Sequence, residues 1–428
     1  MSGSIYVLKG NIIYSKNTTE LTMIENGYLV CENGVSQGVY RTLPSGYQDI
    51  PLRDYGDALI IPGLTDLHTH APQYSFRGLG MDMELIGWLE ANTFPEEAKF
   101  RDMEYAKSAY AIFVENLRKS PTTRACVFAT THRPATLMLM EMLEEAGLIT
   151  LVGKVNMDRN CPDYLKESSP EESAEETERW LEEAALRDFR YTKPILTPRF
   201  TPCCTDDVMR YLKKLQVKHS LSLQSHLSEN SGEIAWVKEL CPWSEFYGDV
   251  YDQFGLFGRD CKTIMAHCVL SDDREIMRMK ENGVYVAHCP ESNMNLSSGV
   301  APVRKFLETG VKVGLGSDVA GGSSENMFSS MARAIQASKM RWKLHDSSQK
   351  PLTAEEVFYM ATMGGGEFFG KVGSFEAGYE FDAVVLDDSR LKHPQPLDLK
   401  QRLERLIYLS DDREIVTKYA GGREVSLI

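Results

Sequence analysis

The sequence of 428 residues lacks the features that are typical of secreted, membrane and zinc-ribbon proteins. It contains no Cys-x-x-Cys pair, which argues against a structural zinc ribbon. Its nine cysteines are scattered and odd in number, unlike the disulfide framework of a small secreted domain. No apolar run approaches the roughly 18 residues of a membrane span, and the first residues do not have the pattern of a signal peptide. We therefore expect a cytoplasmic protein with reduced thiols and no membrane association.

Positive charge is also scarce. The chain has 47 Lys and Arg against 61 Asp and Glu, which gives a formal net charge of −14. This balance opposes nonspecific binding to nucleic acid or to an anionic membrane. With 43% hydrophobic and 25% charged residues, the composition is that of an ordinary globular protein that can bury a core. We expect no nucleic acid among its partners.

The distribution of apolar runs predicts the fold. Both ends of the chain carry short β segments, which include the hairpin sequence Glu32-Asn33-Gly34. Between them, apolar runs alternate with helical patterns. The runs are Leu64–Leu67, Ala125–Thr130, Ile149–Val155, Pro194–Leu196, Leu221–Ser225, Thr263–Ala266, Val284–Ala287 and Val311–Leu315. Such alternation indicates a parallel sheet, and about eight units favour a closed barrel. We predict an α/β fold: a (β/α)8 TIM-like barrel over residues 65–370 and a small β-sandwich domain built from residues 1–64 and 371–428.

Metal-capable side chains follow several of these predicted strands. His68 and His70 close the first run, and residues i and i+2 of a strand point to the same face. His226, His267 and Asp318 follow later runs. Because active sites of barrels lie at the C-terminal ends of their strands, we expect these side chains to converge. Imidazole nitrogen and carboxylate oxygen suit zinc, iron or a similar divalent ion.

Other residues in the same regions have weaker signals. His288 is interpreted as structural, shaping the loop Cys289–Asn293, and Cys268 and Cys289 as small packing residues. The glutamates between residues 167 and 183 are interpreted as a solvated helix face. No role is assigned to the remaining histidines, which are His132, His219, His345 and His393.

A glutamate, Glu229, stands three residues after His226. A carboxyl group beside an activated water can move a proton to a ring nitrogen, as a hydrolytic deamination requires. Alternatively, Glu229 only begins a helix, where its charge favours the helix dipole. The sequence has neither the His-Glu-x-x-His helix of metalloproteases nor the His-x-Glu and Pro-Cys-x-x-Cys signature of another class of zinc deaminases.

The run Pro62–His70, with His226, His267 and Asp318, resembles the amidohydrolase superfamily. Further segments are more selective and resemble the guanine deaminase family within it. These segments are residues 70–74, 80–89, 93–100, 197–200 and 224–230. The resemblance spans the whole predicted barrel, and the small sheet domain is compatible with it.

The resemblance implies one zinc ion per subunit, with Fe²⁺ as the alternative. It also implies which residues form the active site. The metal ligands would be His68, His70, His226 and Asp318, with Glu229, His267 and Asp318 as catalytic residues and Gln73, Arg199, Phe200, Glu229 and Asp318 as substrate contacts. The implied reaction is hydrolysis of guanine to xanthine and ammonia in purine catabolism or salvage, by a homodimer. A guanidinium such as that of Arg199 can fork onto O6 and N7 of guanine, whereas adenine presents a donor in place of O6. Arg199 could instead be a salt-bridge residue at the barrel mouth.

Three alternatives stay open at this point. Another nucleobase deaminase of the superfamily would use the same metal site. A two-metal cyclic amidase, similar to hydantoinases and dihydroorotases, would need a carboxylated lysine, for which Lys154 is the candidate. A non-catalytic scaffold would have lost its metal ligands, whereas every ligand type is present here. The sequence does not decide between zinc and iron, nor whether Gly80–Phe100 closes as a lid.

Overall fold

The computed structural model describes residues 4–427. Residues 1–3 and 428, which the predicted β domain includes, lie outside the described residues. The described chain is a mixed α/β structure, as the sequence predicts. One sheet of seven strands and two parallel sheets of four strands account for most of its β structure.

Strands from both ends of the chain share the seven-stranded sheet. Their spatial order is Arg423–Val425, Ile415–Ala420, Ala383–Leu386, Leu52–Pro62, Ile5–Ser15, Leu21–Glu32 and Val35–Tyr40. Leu52–Pro62 pairs in parallel with Ile5–Ser15 and antiparallel with Ala383–Leu386, so the two ends meet at the centre of the sheet. This arrangement supports the predicted small β domain in part.

The predicted hairpin turn at Asn33-Gly34 is confirmed. Both residues have left-handed backbone angles, with φ of 53° and 79°. Asn tolerates this conformation and Gly adopts it without steric cost. The turn joins Leu21–Glu32 to Val35–Tyr40 as an antiparallel pair.

The two four-stranded sheets contain only parallel pairs. One has the strands Leu64–His70, Thr122–Phe128, Ile149–Gly153 and Thr192–Pro194, and the other has Leu223–Leu227, Thr263–His267, Tyr285–His288 and Lys312–Leu315. Backbone hydrogen bonds join them. Leu196 N donates to Ser222 O at 3.0 Å, and Asp318 N donates to His68 O at 2.8 Å. A short pair, Val155–Asn156 with Thr197–Pro198, lies near the first of these links.

Helices alternate with these strands. They are Leu85–Trp88, Phe94–Ala98, Met103–Lys119, Arg133–Ala146, Pro170–Leu186, Asp206–His219, Ser231–Leu240, Tyr247–Gln253, Asp273–Asn282, Pro290–Asn295, Val303–Thr309, Met327–Leu344, Ala354–Tyr359 and Leu399–Leu409. Local signals set their ends. Asp102 accepts hydrogen bonds from the first turn of Met103–Lys119, and Gly147 ends Arg133–Ala146 in the left-handed conformation. Within residues 4–427, no helix is both long enough and apolar enough to span a bilayer.

Several predicted boundaries were wrong for identifiable reasons. The first strand of the parallel sheets continues to His70 instead of ending at Leu67, because buried polar histidines interrupt the apolar pattern without ending the strand. The run Pro194–Leu196 is not one strand: Thr192–Pro194 and Thr197–Pro198 pair with different neighbours. Proline has no N–H to donate to a ladder, so each of these short strands ends at a proline.

The interpretation of residues 167–183 as a solvated helix face was wrong for Glu167. The other glutamates lie on Pro170–Leu186 and are exposed or half-buried. Glu167 precedes this helix and is buried, and its Oε1 accepts a hydrogen bond from Lys154 Nζ at 2.5 Å. Its charge led to the prediction that Glu167 is exposed to solvent. In the structure its carboxylate is buried and is paired with Lys154.

Candidate active site

Four of the predicted side chains converge on one point. His68 and His70 lie on Leu64–His70, His226 lies on Leu223–Leu227, and Asp318 follows Lys312–Leu315. Nε2 of His70 is 3.2 Å from Nε2 of His68 and 3.3 Å from Nε2 of His226. Oδ1 of Asp318 is 3.2 Å from His68 Nε2 and 3.4 Å from His70 Nε2. The predicted convergence of these residues is confirmed.

This donor set fits a divalent metal ion. Burial lowers the pKa of His68, His70 and His226, so their rings are neutral. His226 Nδ1 donates to Arg199 O at 2.6 Å, which leaves Nε2 unprotonated and facing the other imidazoles. Three such nitrogen lone pairs that face each other need a cation between them. Three imidazoles and a carboxylate are ligands of zinc and of iron.

Asp318 is the charged member of this cluster. Burial alone would raise the pKa of its carboxyl group, but the histidines around it, His68 first, hold that pKa below its usual range. Its backbone has a φ of 47°, in the left-handed region that few non-glycine residues adopt. Oδ1 of the buried Asp66 accepts hydrogen bonds from Ser317 N and His68 N, and thereby ties the two strand ends together.

His267 and Glu229 form a second polar pair next to this cluster. His267 Nε2 lies 3.4 Å from Glu229 Oε2 and 3.8 Å from Asp318 Oδ2. Burial, and then the charge of Asp318, raise the pKa of Glu229 well above its usual value. Ser298 Oγ donates to Glu229 Oε1 at 3.3 Å. Glu229 is therefore a buried carboxyl group that holds its proton more tightly than an exposed glutamic acid does.

A third polar group contains the predicted substrate contacts Arg199 and Gln73. Arg199 Nη1 donates to Glu97 Oε2 at 2.6 Å, and Gln73 Nε2 donates to Glu97 Oε1 at 3.0 Å. Ala320 N approaches Gln73 Oε1 at 3.5 Å. The side chains of Arg199, Gln73 and Glu97 are all buried. Sequence reasoning missed Glu97, although it lies in the segment 93–100 that resembles guanine deaminases.

These groups surround one cavity. Its walls are His70, Gln73, Leu85, Trp88, Leu89, Arg199, Phe200, His226, Glu229, His267, Leu296 and Asp318. Every residue that the sequence proposed for the site lines this cavity except His68, which is fully buried behind it. Sequence reasoning did not name the apolar wall of Leu85, Trp88, Leu89 and Leu296, because leucines and tryptophans in helices are common core residues.

Comparison with known proteins places the chain in a family. It matches the Amidohydrolase family over residues 59–425. The chain belongs to this family. A guanine deaminase of Dictyostelium discoideum is 36% identical and covers 98% of both chains. The guanine deaminase of Mus musculus is 42% identical over 85% of this chain and 82% of its own.

A solved structure is similar throughout. The crystal structure of guanine deaminase from C. acetobutylicum, with guanine bound in the active site, is 48% identical and has a TM-score of 0.95. The match covers 99% of this chain and 100% of that chain. The resemblance to guanine deaminases found in the sequence is thereby confirmed.

In this amidohydrolase, Lys154 does not reach the metal-capable cluster. Its Nζ is buried and bonds to Glu167 Oε1 and Val155 O. A lysine held in this way is not free to bridge two metals, which counts against the two-metal amidase.

His288 and Cys289 lie closer to the cluster. Burial, and then the charge of His267, lower the pKa of His288 to about 3, so its ring is neutral. The sulfur of Cys289 lies within 4.8 Å of ligand atoms of His68 and Asp318. Burial raises the pKa of this thiol well above its usual value, and a protonated thiol is a poor metal ligand.

Proposed function

We propose that this protein catalyses the hydrolysis of guanine to xanthine and ammonia. The observation that carries this proposal is one cavity with a buried arginine at one wall and a buried carboxyl group of raised pKa beside a metal-capable cluster at another. The arginine suits the recognition of a base that carries a carbonyl group. The carboxyl group beside the metal-capable cluster suits hydrolytic removal of an amino group. Similarity to guanine deaminases over nearly the whole chain supports the same activity.

Arg199 is proposed to select guanine. One of its nitrogens, Nη1, is bound to Glu97, and the described residues offer no hydrogen-bond acceptor to Nε or Nη2. These donors match the O6 and N7 acceptors of guanine, whereas adenine has an amino donor at position 6. Phe200 and the apolar wall would cover the faces of the ring.

The proposed cofactor is one zinc ion held by His68, His70, His226 and Asp318. Zinc bound there supplies a Lewis acid that brings the pKa of water to about 7. Iron(II) accepts the same ligands, so metal analysis has to decide between the two.

The chain's own groups would move the protons. Asp318 and His267 Nε2 face the same side of the cavity and would accept the proton that the attacking water loses. Glu229 would donate its carboxyl proton to N3 of guanine as the oxygen bonds to C2. The C2–N bond would then break as the amino group takes the proton held by Asp318 or His267 and leaves as ammonia. The new C2 hydroxyl would return its proton to Glu229, and xanthine remains. One guanine and one water thus give one xanthine and one ammonia.

We also propose a domain arrangement and an assembly. The eight parallel strands would close into a (β/α)8 barrel over residues 65–370, supported by the backbone hydrogen bonds that link the two sheets at Leu196 and at Asp318. Residues 1–64 and 371–428 would form the β-sandwich domain. A homodimer, a cytoplasmic location and a role in purine catabolism or salvage remain predictions from the resemblance.

Ammonia release tests the proposed function directly. The purified, zinc-loaded protein is incubated separately with guanine, adenine, cytosine and hydantoin, and ammonia is measured. We expect ammonia from guanine alone. Turnover of another compound without turnover of guanine would refute the proposal. Hydantoin opening releases no ammonia, so its ring-opened product, N-carbamoylglycine, is measured separately, and its formation would restore the cyclic amidase alternative.

A further inference from the structure

Glu97 is an acidic residue beside the cavity, on the side where Arg199 forms the wall. It lies on Phe94–Ala98 and is 1% exposed. Each carboxylate oxygen accepts one hydrogen bond, Oε2 from Arg199 and Oε1 from Gln73. One carboxylate therefore orients both polar side chains that are proposed to contact the base.

Glu97 also balances charge. Burial alone would lower the pKa of Arg199, but the charge of Glu97 and its hydrogen bond hold it above the ordinary value. Arg199 Nη1 and Glu97 Oε2, 2.6 Å apart, form a buried ion pair. The other groups at this wall are Gln73, Phe200 and apolar side chains. Two thiols lie nearby: burial raises the pKa of Cys203, and the hydrogen bond with Cys203 lowers the pKa of Cys161. Arg199 and Glu97 together leave this wall without net charge.

Substrate and product differ in acidity. Guanine is neutral near pH 7. Xanthine has a second carbonyl group and loses a ring proton much more readily, so part of it is an anion under the same conditions. An unpaired buried cation attracts an anion strongly because the local dielectric is low. A cavity with Arg199 alone would therefore retain the product.

We propose that Glu97 determines specificity by neutralising Arg199, so that the cavity accepts uncharged guanine and releases the acidic product. This inference rests on the proposed function. It assigns Glu97 a task that a structural salt bridge alone does not have, namely discrimination between purines of different charge.

The test compares two product-like ligands. Xanthine and hypoxanthine share O6 and N7, but only xanthine is substantially ionised at pH 8. Their dissociation constants are measured by calorimetry on the zinc-loaded wild type and on Glu97→Gln. We expect the preference for xanthine over hypoxanthine to rise about tenfold in Glu97→Gln. The matched control is Glu96→Gln, since Glu96 bonds to Lys99 and Tyr105 and not to Arg199. An unchanged preference in Glu97→Gln, or an equal rise in Glu96→Gln, would overturn the inference.

A second variant covers the case in which Glu97→Gln does not fold. Glu97→Ala leaves space beside Arg199 for a small carboxylate. Added formate should restore the wild-type ligand preference in this variant, and the same concentration of chloride should not. If formate has no effect on a raised preference, the charge argument fails.

The proposed function and the proposed role of Glu97 can be refuted independently of each other. No ammonia from guanine with the wild type refutes the proposed function. Normal wild-type turnover with an unchanged ligand preference in the Glu97 variants refutes only the role of Glu97.

Discussion

His267 Nδ1 donates a hydrogen bond to Asn293 Oδ1 at 2.9 Å. This bond directs the other ring nitrogen, Nε2, at Glu229 and Asp318. His267 also has a φ of 73°, so its backbone is held in a conformation that most residues avoid. Asn293, on the helix Pro290–Asn295, thus orients a side chain that is proposed to accept a proton.

Asn293→Ala should lower kcat for guanine by about ten- to a hundredfold, because the tautomer and orientation of His267 are no longer fixed. KM and zinc content should stay near the wild-type values, since Asn293 contacts neither the proposed base contacts nor the metal ligands. Steady-state kinetics and elemental analysis provide the measurements. Met294→Ala is the control, because Met294 is exposed on the same helix. A normal kcat in Asn293→Ala would show that His267 needs no such support.

Glu229→Gln should keep zinc and lose about a hundred- to ten-thousandfold of the deamination rate, since an amide cannot donate the required proton. In the wild type the rate should fall as pH rises through the raised pKa of Glu229, where its carboxyl group loses that proton. Ammonia release measured across pH tests both effects. Glu239→Gln, an exposed change on the following helix, should have no effect. Full activity in Glu229→Gln would remove this residue from the mechanism.

The metal ligands can be tested without measuring activity. His68→Ala and Asp318→Ala should each lose bound zinc, while His345→Ala should retain it. A chelator should lower the Tm of the wild type but not that of His68→Ala, because a ligand present at a thousand times its Kd stabilises the folded state by about 4 kcal/mol. Unchanged zinc content in both ligand variants would contradict the proposed site.

The sequence predicted the residues of the metal-capable cluster better than the residues behind them. His68, His226 and Asp318 were recognisable because polar side chains at the ends of parallel strands must meet. Glu97 was not recognisable, since its neighbour Glu96 has the same side chain and faces Lys99 and Tyr105 instead. Arg199 and Glu97 are 102 positions apart, and no local pattern pairs them.

The secondary structure could likewise be predicted only in part from the sequence. Apolar runs located most of the parallel strands, but hydrogen bonding and burial set their ends, as His70 illustrates at the end of its strand. Lys154 and Glu167 were assigned to a candidate metal bridge and a solvated face, yet they bond to each other. The sequence alone does not show whether a charged residue is paired with a buried partner of opposite charge.

Glu233 should make stability depend on pH. Burial raises its pKa from 4.5 to about 7. The folded state therefore holds a proton that the unfolded state has lost, so stability falls as pH rises between these two values and is constant above them. The full loss is about 3 kcal/mol. Denaturant unfolding of the wild type at several pH values measures it.

The control for this prediction is Glu233→Gln, which should remove this part of the slope. Its oxygen can still accept from Glu229 N, and its amide can donate to Tyr247, so the fold is kept. Parallel pH profiles of wild type and variant would contradict the raised pKa.

Lys154 separates a one-metal from a two-metal site. Lys154→Met should destabilise the protein by about 3–5 kcal/mol, because it leaves Glu167 buried without its cation. The double variant Lys154→Met, Glu167→Gln removes both charges and should recover most of this loss. Both variants should still bind one zinc per chain and turn over guanine, since Lys154 Nζ bonds to Glu167 and not to the histidine cluster. Urea unfolding and elemental analysis measure the two effects. Loss of metal together with Lys154 would mean that this lysine bridges metals, as in the cyclic amidases.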